Sequence, residues 1–384
     1  MHLILFDHII QLDSLAPVID LLSKEKKKII ILNTNPLYNY NNNKIIKCFK
    51  DRNIKFISFP STNLVNKIKI FLLKLITLLP KKQLLKFTGL WFRVGNGHYL
   101  DKDKFIKFIK KNNIKIVSIP NDFTTKKKFF INECKQIIDF LIIEIEVGLR
   151  TIKASPYGSD FPTDYCDYFI ASNNLIEKPK DPKIKNKIKY LGCLRYSNQW
   201  IKKLDEIYKF EDTSQSDKIK LAIFLQTGNL YKDEEFMKLF KGIENLEIEF
   251  GNKPKSLLPQ KSCNFLYDKF NASQLINWAD IIVSHSSSIL IEAIMKSKNI
   301  FYCNFLTYSK KYNIEKFYLS EIEGFHMFQN SNEMTYSLKN LKKKPKKVNY
   351  SESDINLINE LKGFNKDDEI INNYINFYRN IILD

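Results

Sequence analysis

The sequence predicts an α/β fold of two similar domains, each a parallel sheet that helices cover on both faces. Short apolar runs alternate with longer segments of helical periodicity along the 384 residues, and this alternation is typical of buried parallel sheets. It stops at the polar linker "EDTSQSDK" (211–218) and then starts again. A chain of this length usually needs more than one core. Two Rossmann-like domains facing a cleft are therefore expected.

The first domain is predicted to span residues 1–210. Its beginning, "MHLILFDHII", has neither a basic region nor a small-residue cleavage site, so we expect a first strand there rather than a signal peptide. After this strand, Leu15, Val18 and Leu22 recur at helical spacing and predict a helix. The predicted strands of this domain are 3–6, 29–32, 54–59, 114–120, 140–148 and 167–172.

The second domain is predicted over residues 219–365. Its helices include "DEEFMKLFKGI", "ASQLINWA" and "SSILIEAIMKS". The segment 366–384, with "DDEIINNYINFYRNIIL", predicts a last helix, and packing back on the first domain is one arrangement open to it. The predicted strands of this domain are 219–228, 246–251, 280–284 and 299–305.

The chain is strongly basic, with 61 Lys and Arg against 42 Asp and Glu and a net charge of +19. Such an excess attracts nucleic acid, anionic lipid or phosphorylated substrates. The lysines are scattered through a chain that is also rich in Asn, Ile, Phe and Tyr. This pattern favours a compositional drift over a dedicated nucleic-acid surface, so no nucleic-acid partner is expected.

Cysteine spacing and hydropathy predict a cytoplasmic protein. The six cysteines form no CxxC pair, which indicates reduced thiols that fill the core. No apolar stretch is long enough to span a bilayer. The lysine-flanked helix predicted at 66–87 fits the anionic inner face of the cytoplasmic membrane. An ordinary packed helix fits it as well and is favoured.

A run of hydroxyl groups separates a predicted strand from a predicted helix in "WADIIVSHSSSILIEAIMKSKNIFY" (278–302). Serine is a preferred N-cap, and the first backbone N–H groups of a helix can bind an anion. We therefore predict a phosphate site, and Glu292, one turn beyond Ser288, could accept hydrogen bonds from a ribose. Simple capping by Ser288 and a solvated Glu292 are the alternative. The predicted phosphate ligands are His285, Ser286, Ser287 and Ser288.

The stretch "ASQLINWADIIVSHSSSILIEAIMKSKNIFY" resembles the nucleotide-binding part of bacterial surface-polysaccharide glycosyltransferases with the GT-B fold. The resemblance is strongest over 219–305 and weaker over 1–210. The usual glycine and proline of the last strand are missing from "SKNIFY". The resemblance implies a GT-B architecture and a nucleotide-sugar donor.

The neighbouring segments are most similar to the retaining β-Kdo transferases. "FGNKPKSLLP" stands where members that use cytidine nucleotides carry a Lys-Pro-His-Pro element, and it retains Lys253 and Lys255 without the histidine. "LQTGNLYKDEEF", which contains Gln226, resembles the loop that holds the nucleophilic Asp of that family, and Asp233 is the matching position. "IEIEVGLRT" resembles their acid-and-Arg stretch. The resemblance implies that Glu146 is an acid and that Arg150 clamps a carboxylate or phosphate.

The residues themselves allow this chemistry. Glycosyl transfer passes through an oxocarbenium-like state that paired carboxylates assist, and a carboxylate nucleophile retains configuration by two successive inversions. Glu146 and Asp233 lie at predicted strand ends of different domains, so a cleft could bring them together. A solvated strand-end acid and an acid at a helix N-terminus remain the alternatives. The serine turn and the lysines could stabilise the leaving phosphate, so no metal cofactor is expected.

Three residues after the first strand could touch the acceptor. They are His8, Gln11 and Asp13, although Asp13 is better explained as the N-cap of the first helix. His326 in "GFHMF" could approach the nucleotide or be an ordinary loop histidine.

The sequence therefore predicts a glycosyltransferase that transfers a sugar, with CMP-Kdo or another nucleotide sugar as donor, to a glycan or lipid-linked glycan of lipopolysaccharide or capsule. A glycerol- or ribitol-phosphate transferase and a sugar-nucleotide 2-epimerase of the same fold remain open. So do a basic nucleic-acid-binding protein and a scaffold without activity.

Overall fold

Two parallel sheets, joined by helices that cross between them, make up the computed structural model of this protein. The structure describes residues 1–35, 43–52, 54–58, 68, 71, 100–149, 165–174, 181–209, 217–224, 238–251, 272–284, 289–306 and 318–383.

The first sheet forms from the apolar runs of the first half. Its strands are β1 (His2–Phe6), β2 (Ile29–Asn33), β3 (Lys55–Ser58), β4 (Ile116–Pro120), β5 (Leu141–Ile145), β6 (Tyr168–Ala171) and β7 (Ile188–Tyr190). Their order is β3-β2-β1-β4-β5-β6-β7, and every described pair is parallel. The chain adds β2 and β3 on one side of β1 and then adds β4 to β7 on the other side, so the strand order reverses between β1 and β4. Open α/β sheets bind ligands beyond the carboxyl ends of the strands at such a point.

Helices cover both faces of this sheet because its central strands are apolar on both. In β1, Ile4 and Phe6 point into one core, whereas Leu3 and Leu5 point into the other, as the two-residue repeat of a strand requires. The helices are α1 (Ile9–Lys24), α2 (Lys44–Phe49), α3 (Lys102–Lys111), α4 (Thr125–Lys135), α5 (Pro182–Lys187) and α6 (Asn198–Ile207).

The second sheet repeats the arrangement. Its strands are β8 (Ile219–Phe224), β9 (Leu246–Phe250), β10 (Ile281–Ser284), β11 (Asn299–Cys303) and β12 (Phe325–Phe328), in the order β12-β11-β10-β8-β9. In β10, Ile282 points into one core, and Ile281 and Val283 point into the other. The helices of this half are α7 (Ala272–Trp278), α8 (Ile289–Met295), α9 (Ser331–Asn340) and α10 (Glu352–Lys362), and a further helix, α11 (Asp367–Leu383), follows them in the chain.

Two helices hold the halves together. On α6, Trp200 and Leu204 belong to the core of the first sheet, whereas Ile201 packs into the core of the second. The last helix, α11, packs on α1 and places Tyr374 and Tyr378 in the first core. The chain therefore begins and ends its described part on the first domain.

Several local predictions need correction. Helix α1 begins at Ile9 with His8 in the N-cap position, so Asp13 lies in the second turn and is not the N-cap. The three-residue strand β7, the edge strand β12 and the helices α9 and α10 were not predicted. In the described part of the helix predicted at 233–243, Lys238–Phe240 forms a 3₁₀ turn instead.

Other local predictions have a different outcome. The lysine-flanked helix predicted at 66–87 lies outside the described residues except for residues 68 and 71. Within the described residues, no helix is long and apolar enough to cross a membrane. The five described cysteines are free, and four of them are buried, as predicted.

Candidate functional site

A cluster of charged side chains from both halves lies beyond the carboxyl ends of the first sheet's strands. Helix α1 contributes Asp13 and Ser14, and the 3₁₀ turn after β7, Leu194–Tyr196, contributes Arg195. The Arg195 Nη1 donates a hydrogen bond to Ser14 Oγ at 3.0 Å. Helix α8 of the second half contributes Glu292, whose charge acts on both Asp13 and Arg195.

The environment of Asp13 raises the pKa of its carboxyl group toward neutrality. Burial raises its pKa from 3.8 to about 7, the Arg195 charge opposes this rise, and the negative charge of Glu292 adds to it. A carboxyl group in this state can both give and take a proton. Arg195 interacts with acids of both halves, Asp13 and Glu292. A carboxyl group with a shifted pKa beside such a cation is typical of a functional site, and also of a structural ion-pair network.

Glu292 is held against the first domain by its helix. Helix α8 packs on α6 and on the 3₁₀ turn that carries Arg195. The Glu292 side chain is only 6% exposed, and its Oε1 lies 3.3 Å from the Lys296 Nζ. Lys296 also contacts Asp205 of α6 at 2.7 Å. The acid thus lies at the junction of the two halves, where its charge is partly balanced by Lys296.

Glu146 lies one residue beyond β5 and is buried. Its Oε2 accepts a hydrogen bond from the Ser172 backbone N–H at 2.7 Å, which joins the ends of β5 and β6. Beside it is a cavity of about 10 Å³ that Ser172, Cys193 and Arg195 also line. That volume suits about one water molecule. Burial raises the pKa of Cys193 to about 11, so its thiol stays protonated.

Two of the three predicted acceptor-side residues, His8 and Gln11, belong to one hydrogen-bond network at the ends of β1 and β4. The His8 Nε2 lies 3.4 Å from the Asp122 Oδ2, and Gln11 donates to the Asp122 Oδ1 at 2.6 Å. Gln11 in turn accepts from the Asp7 backbone N–H at 2.6 Å. Asp7 is buried and pairs with Lys127. The network fixes the His8 ring close to the edge of the sheet.

The structure brings several predicted site residues to the same edge of the first sheet. Glu146, Asp13 and Glu292 surround Arg195, and His8 and Gln11 share Asp122. Nine further predicted site residues lie outside the described part of the chain: Asp233, Arg150, Gln226, Lys253, Lys255, His285, Ser286, Ser287 and Ser288. Their roles stay predictions.

The structure does not bring His326 to this cluster. It lies within the edge strand β12, opposite Phe301 of β11, and their ring centroids are 5.5 Å apart. Its role in donor binding stays a prediction.

Sequence reasoning missed Arg195 and Asp122. Arg195 stands in "LGCLRYSNQW", just after a strand of only three residues. Such a strand is too short for hydrophobic periodicity to reveal. Asp122 follows β4 in the predicted fold, and its position at a strand end was the signal that could have identified it.

Comparison with solved structures places this arrangement in a known fold. No protein-family model and no curated protein matches the sequence. The structure is similar to the UDP-GlcNAc 2-epimerase of Methanocaldococcus jannaschii, with 15% identity over 98% of this chain and 100% of that chain and a TM-score of 0.51. Another UDP-N-acetylglucosamine 2-epimerase gives 11% identity, 98% and 94% coverage and a TM-score of 0.54.

A variant of the wall teichoic acid polymerase TagF is similar to the same extent. It gives 10% identity, with 100% of this chain and 90% of that chain covered and a TM-score of 0.51. At these identities the likeness shows the fold alone. The chain is an α/β protein with the two parallel sheets of the GT-B architecture, which confirms the fold predicted from its sequence.

Proposed function

We propose that this protein is a glycosyltransferase that moves a sugar from a nucleotide donor to a growing surface glycan. The observation that carries the proposal is the meeting of Asp13, Arg195 and Glu292, from both halves of a GT-B fold, beyond the carboxyl ends of the strands. Ligands of open α/β sheets bind at this edge. A partly buried guanidinium there suits the phosphate of a nucleotide or the carboxylate of an acidic sugar.

CMP-Kdo is the donor that we propose to test first. The resemblance of the acidic loops to the β-Kdo transferases supports it, and Kdo carries a carboxylate that Arg195 could bind. In this mechanism the Asp233 carboxylate attacks the anomeric carbon and CMP leaves with the bonding electron pair. The acceptor hydroxyl then displaces Asp233 and gives its proton to Glu146. The serine turn, Lys253 and Lys255 hold the leaving phosphate without a metal.

Two related activities have their own support. The fold is shared with UDP-GlcNAc 2-epimerases and with the TagF polymerase. This supports a sugar-nucleotide 2-epimerase and a glycerol- or ribitol-phosphate transferase as the second candidates. A cytoplasmic enzyme that contacts the inner face of the membrane peripherally fits the two transferases, because their acceptors belong to the cell surface.

The test is to incubate the purified protein separately with CMP-Kdo, UDP-GlcNAc and CDP-glycerol, in the presence of glycan acceptors, and to analyse the products by mass. Transfer of Kdo supports the leading proposal, whereas transfer of glycerol phosphate supports the second. An epimerase changes the stereochemistry of UDP-GlcNAc and leaves its mass unchanged. Absence of both Kdo transfer and CMP binding would remove the CMP-Kdo assignment.

Variants at the cluster test the site itself. Arg195→Gln should lower kcat/KM about a hundredfold, because it removes a charged donor from a water-poor site. Arg379→Gln, which removes an exposed guanidinium on α11, is the matched control and should leave activity unchanged. Equal activity of the two variants would contradict the assignment of the cluster.

A further inference from the structure

A second concave site lies in the second domain, away from the charged cluster. It is a groove of about 430 Å³ between strands β10, β11 and β12 of the second sheet and helix α9. Ile281 and Asn299, the first residues of β10 and β11, line it together with Phe328, the last residue of β12, so it runs along the face of the sheet. The charged cluster is beyond carboxyl ends. Small-ligand sites typically occupy about 300–1,000 Å³.

The groove combines aromatic rings with neutral polar groups. Phe301 and Phe328 form its base, with ring centroids 4.9 Å apart, and are nearly fully buried. Tyr336 stands at its rim with 72% of its side chain exposed. Ser337 and Asn340 of the same helix add a hydroxyl and an amide. No acidic residue is among the described residues that line it.

One wall of the groove is a segment that carries five exposed lysines. We call residues 341–348, "LKKKPKKV", the lysine strap; Leu341 and Pro345 of this strap line the groove. Hydrogen bonds fix its backbone, because Asn245 donates to the Leu341 carbonyl at 2.7 Å and Asn299 donates to the Lys346 carbonyl at 2.9 Å. The exposed lysines are Lys342, Lys343, Lys344, Lys346 and Lys347.

We propose that the groove and its lysine strap bind an acidic sugar unit of the glycan on which the enzyme acts, at a distance from the site of transfer. Sugar rings offer apolar faces to an aromatic side chain and hydroxyl groups to amides, which matches Tyr336 and Asn340. The exposed lysines of the strap, whose backbone is fixed beside the groove, supply attraction for a carboxylate or phosphate on the sugar. This inference rests on the proposed function and adds a second contact, which would raise the effective concentration of a long acceptor.

The shape of the site favours a glycan over the two other anions that lysines attract. A bilayer surface is bound by an exposed apolar or basic face and requires no groove. Single-stranded nucleic acid stacks successive bases on several exposed aromatic rings, whereas the described residues of this groove expose one phenol ring, that of Tyr336, beside the smaller imidazole of His326.

The test is calorimetric titration of the full chain with tetragalacturonate, an acidic oligosaccharide, and with maltotetraose, its neutral counterpart. We expect tetragalacturonate to bind more tightly and to weaken as salt is raised. A variant that combines Lys342→Gln, Lys343→Gln and Lys346→Gln should bind it about tenfold more weakly. Tyr336→Ala should also weaken binding about tenfold, because it removes the exposed ring at the rim.

Matched controls remove the same groups from the first domain. The triple variant Lys104→Gln, Lys107→Gln and Lys110→Gln removes three exposed charges from α3, and Phe129→Ala removes a ring that is 51% exposed. Both controls should bind tetragalacturonate as the unaltered protein does. Equal binding by the groove variants and the controls would overturn the proposal. So would binding of an oligothymidylate, or of vesicles containing phosphatidylglycerol, without binding of tetragalacturonate.

The proposed function is tested by a different measurement, the consumption of a nucleotide donor. If the groove binds tetragalacturonate but no nucleotide donor is consumed, the enzyme assignment fails and the glycan site stands. If donors are consumed normally and the groove variants transfer to short and long acceptors equally well, the groove proposal fails. When both hold, the groove variants should raise KM for long acceptors and leave transfer to short ones unchanged.

Discussion

The carboxyl edge of the first sheet and the lysine strap of the second domain hold charge in opposite ways. At the sheet edge, Asp7 pairs with Lys127 and Glu144 pairs with Lys128, all on side chains that are at most 15% exposed. On the strap, five of six successive residues are lysines whose side chains are exposed to solvent. Buried pairs fix the positions of neighbouring groups, whereas exposed cations attract anions over a longer range. The net positive charge of the sequence therefore reflects exposed lysines such as those of the strap, and it does not reveal the charged cluster around Arg195.

The buried Asp7–Lys127 pair should show the largest effect on stability. Lys127→Met should lower the free energy of unfolding by about 3–5 kcal/mol, because it leaves the Asp7 carboxylate buried without its cation. Urea unfolding at neutral pH measures this loss. The double variant with Asp7→Asn keeps a partner for Thr34 and removes the charge, so it should recover part of the stability. A loss below about 1 kcal/mol in Lys127→Met would mean that the pair is not desolvated.

The same pair shows what sequence reasoning could and could not find. The strands and their order along the chain follow from short apolar runs such as "IIIL", which are typical of buried parallel strands. Asp7, His8 and Gln11 were within reach because they follow the first strand directly. Lys127 was not, since a lysine in "TTKKKFF" is indistinguishable from its neighbours until the helix phase places one of them inside.

The cluster at Arg195 could likewise be predicted from the sequence only in part. Glu146 and Glu292 could be proposed from strand-end and turn positions, but their common partner comes from a turn after a strand of three residues. Which residues meet across a cleft depends on the packing of α6 and α8, and that is a tertiary property without a local signal.

The next prediction concerns Gly363, which lies where the chain leaves α10 and contacts the first domain at Ser172. Gly363 ends α10 with a φ of 79°, and a Cβ there would lie 2.0 Å from the Ser172 carbonyl oxygen. Gly363→Ala should therefore destabilise the protein by about 3 kcal/mol or more. Since the Ser172 N–H holds Glu146, activity should fall too.

The control for that variant is Gly242→Ala. Gly242 has nearly the same φ, 80°, but a Cβ there meets nothing within 4 Å. Only the backbone strain remains, so a loss of about 1 kcal/mol is expected. Thermal unfolding of both variants separates the two effects, and equal losses would show that α10 does not press on Ser172.

The carboxyl group of Asp13 should make the stability of the protein depend on pH. Its pKa is raised from 3.8 to about 7, so the folded state holds a proton that the unfolded state has released. The stability this contributes is complete below pH 3.8 and is lost as the pH rises through about 7. Asp13→Asn cannot ionise and should be more stable than the unaltered protein by on the order of 2 kcal/mol at about pH 8.5. The difference should vanish in acid, and Asp103→Asn, at an exposed position of α3, should show no such dependence.

The smallest effect is expected at an ion pair whose geometry is as good as that of the buried ones. The Arg379 Nη2 lies 2.7 Å from the Glu25 Oε2, yet the two side chains are 57% and 27% exposed. Water and salt screen such a pair, and ordering two long side chains costs entropy, so Arg379→Gln should lower the free energy of unfolding by less than about 0.5 kcal/mol. Urea unfolding at low and high salt measures it, and the loss should shrink further at high salt. A loss comparable to that of Lys127→Met would mean that distance, rather than removal from water, determines the strength of ion pairs in this protein.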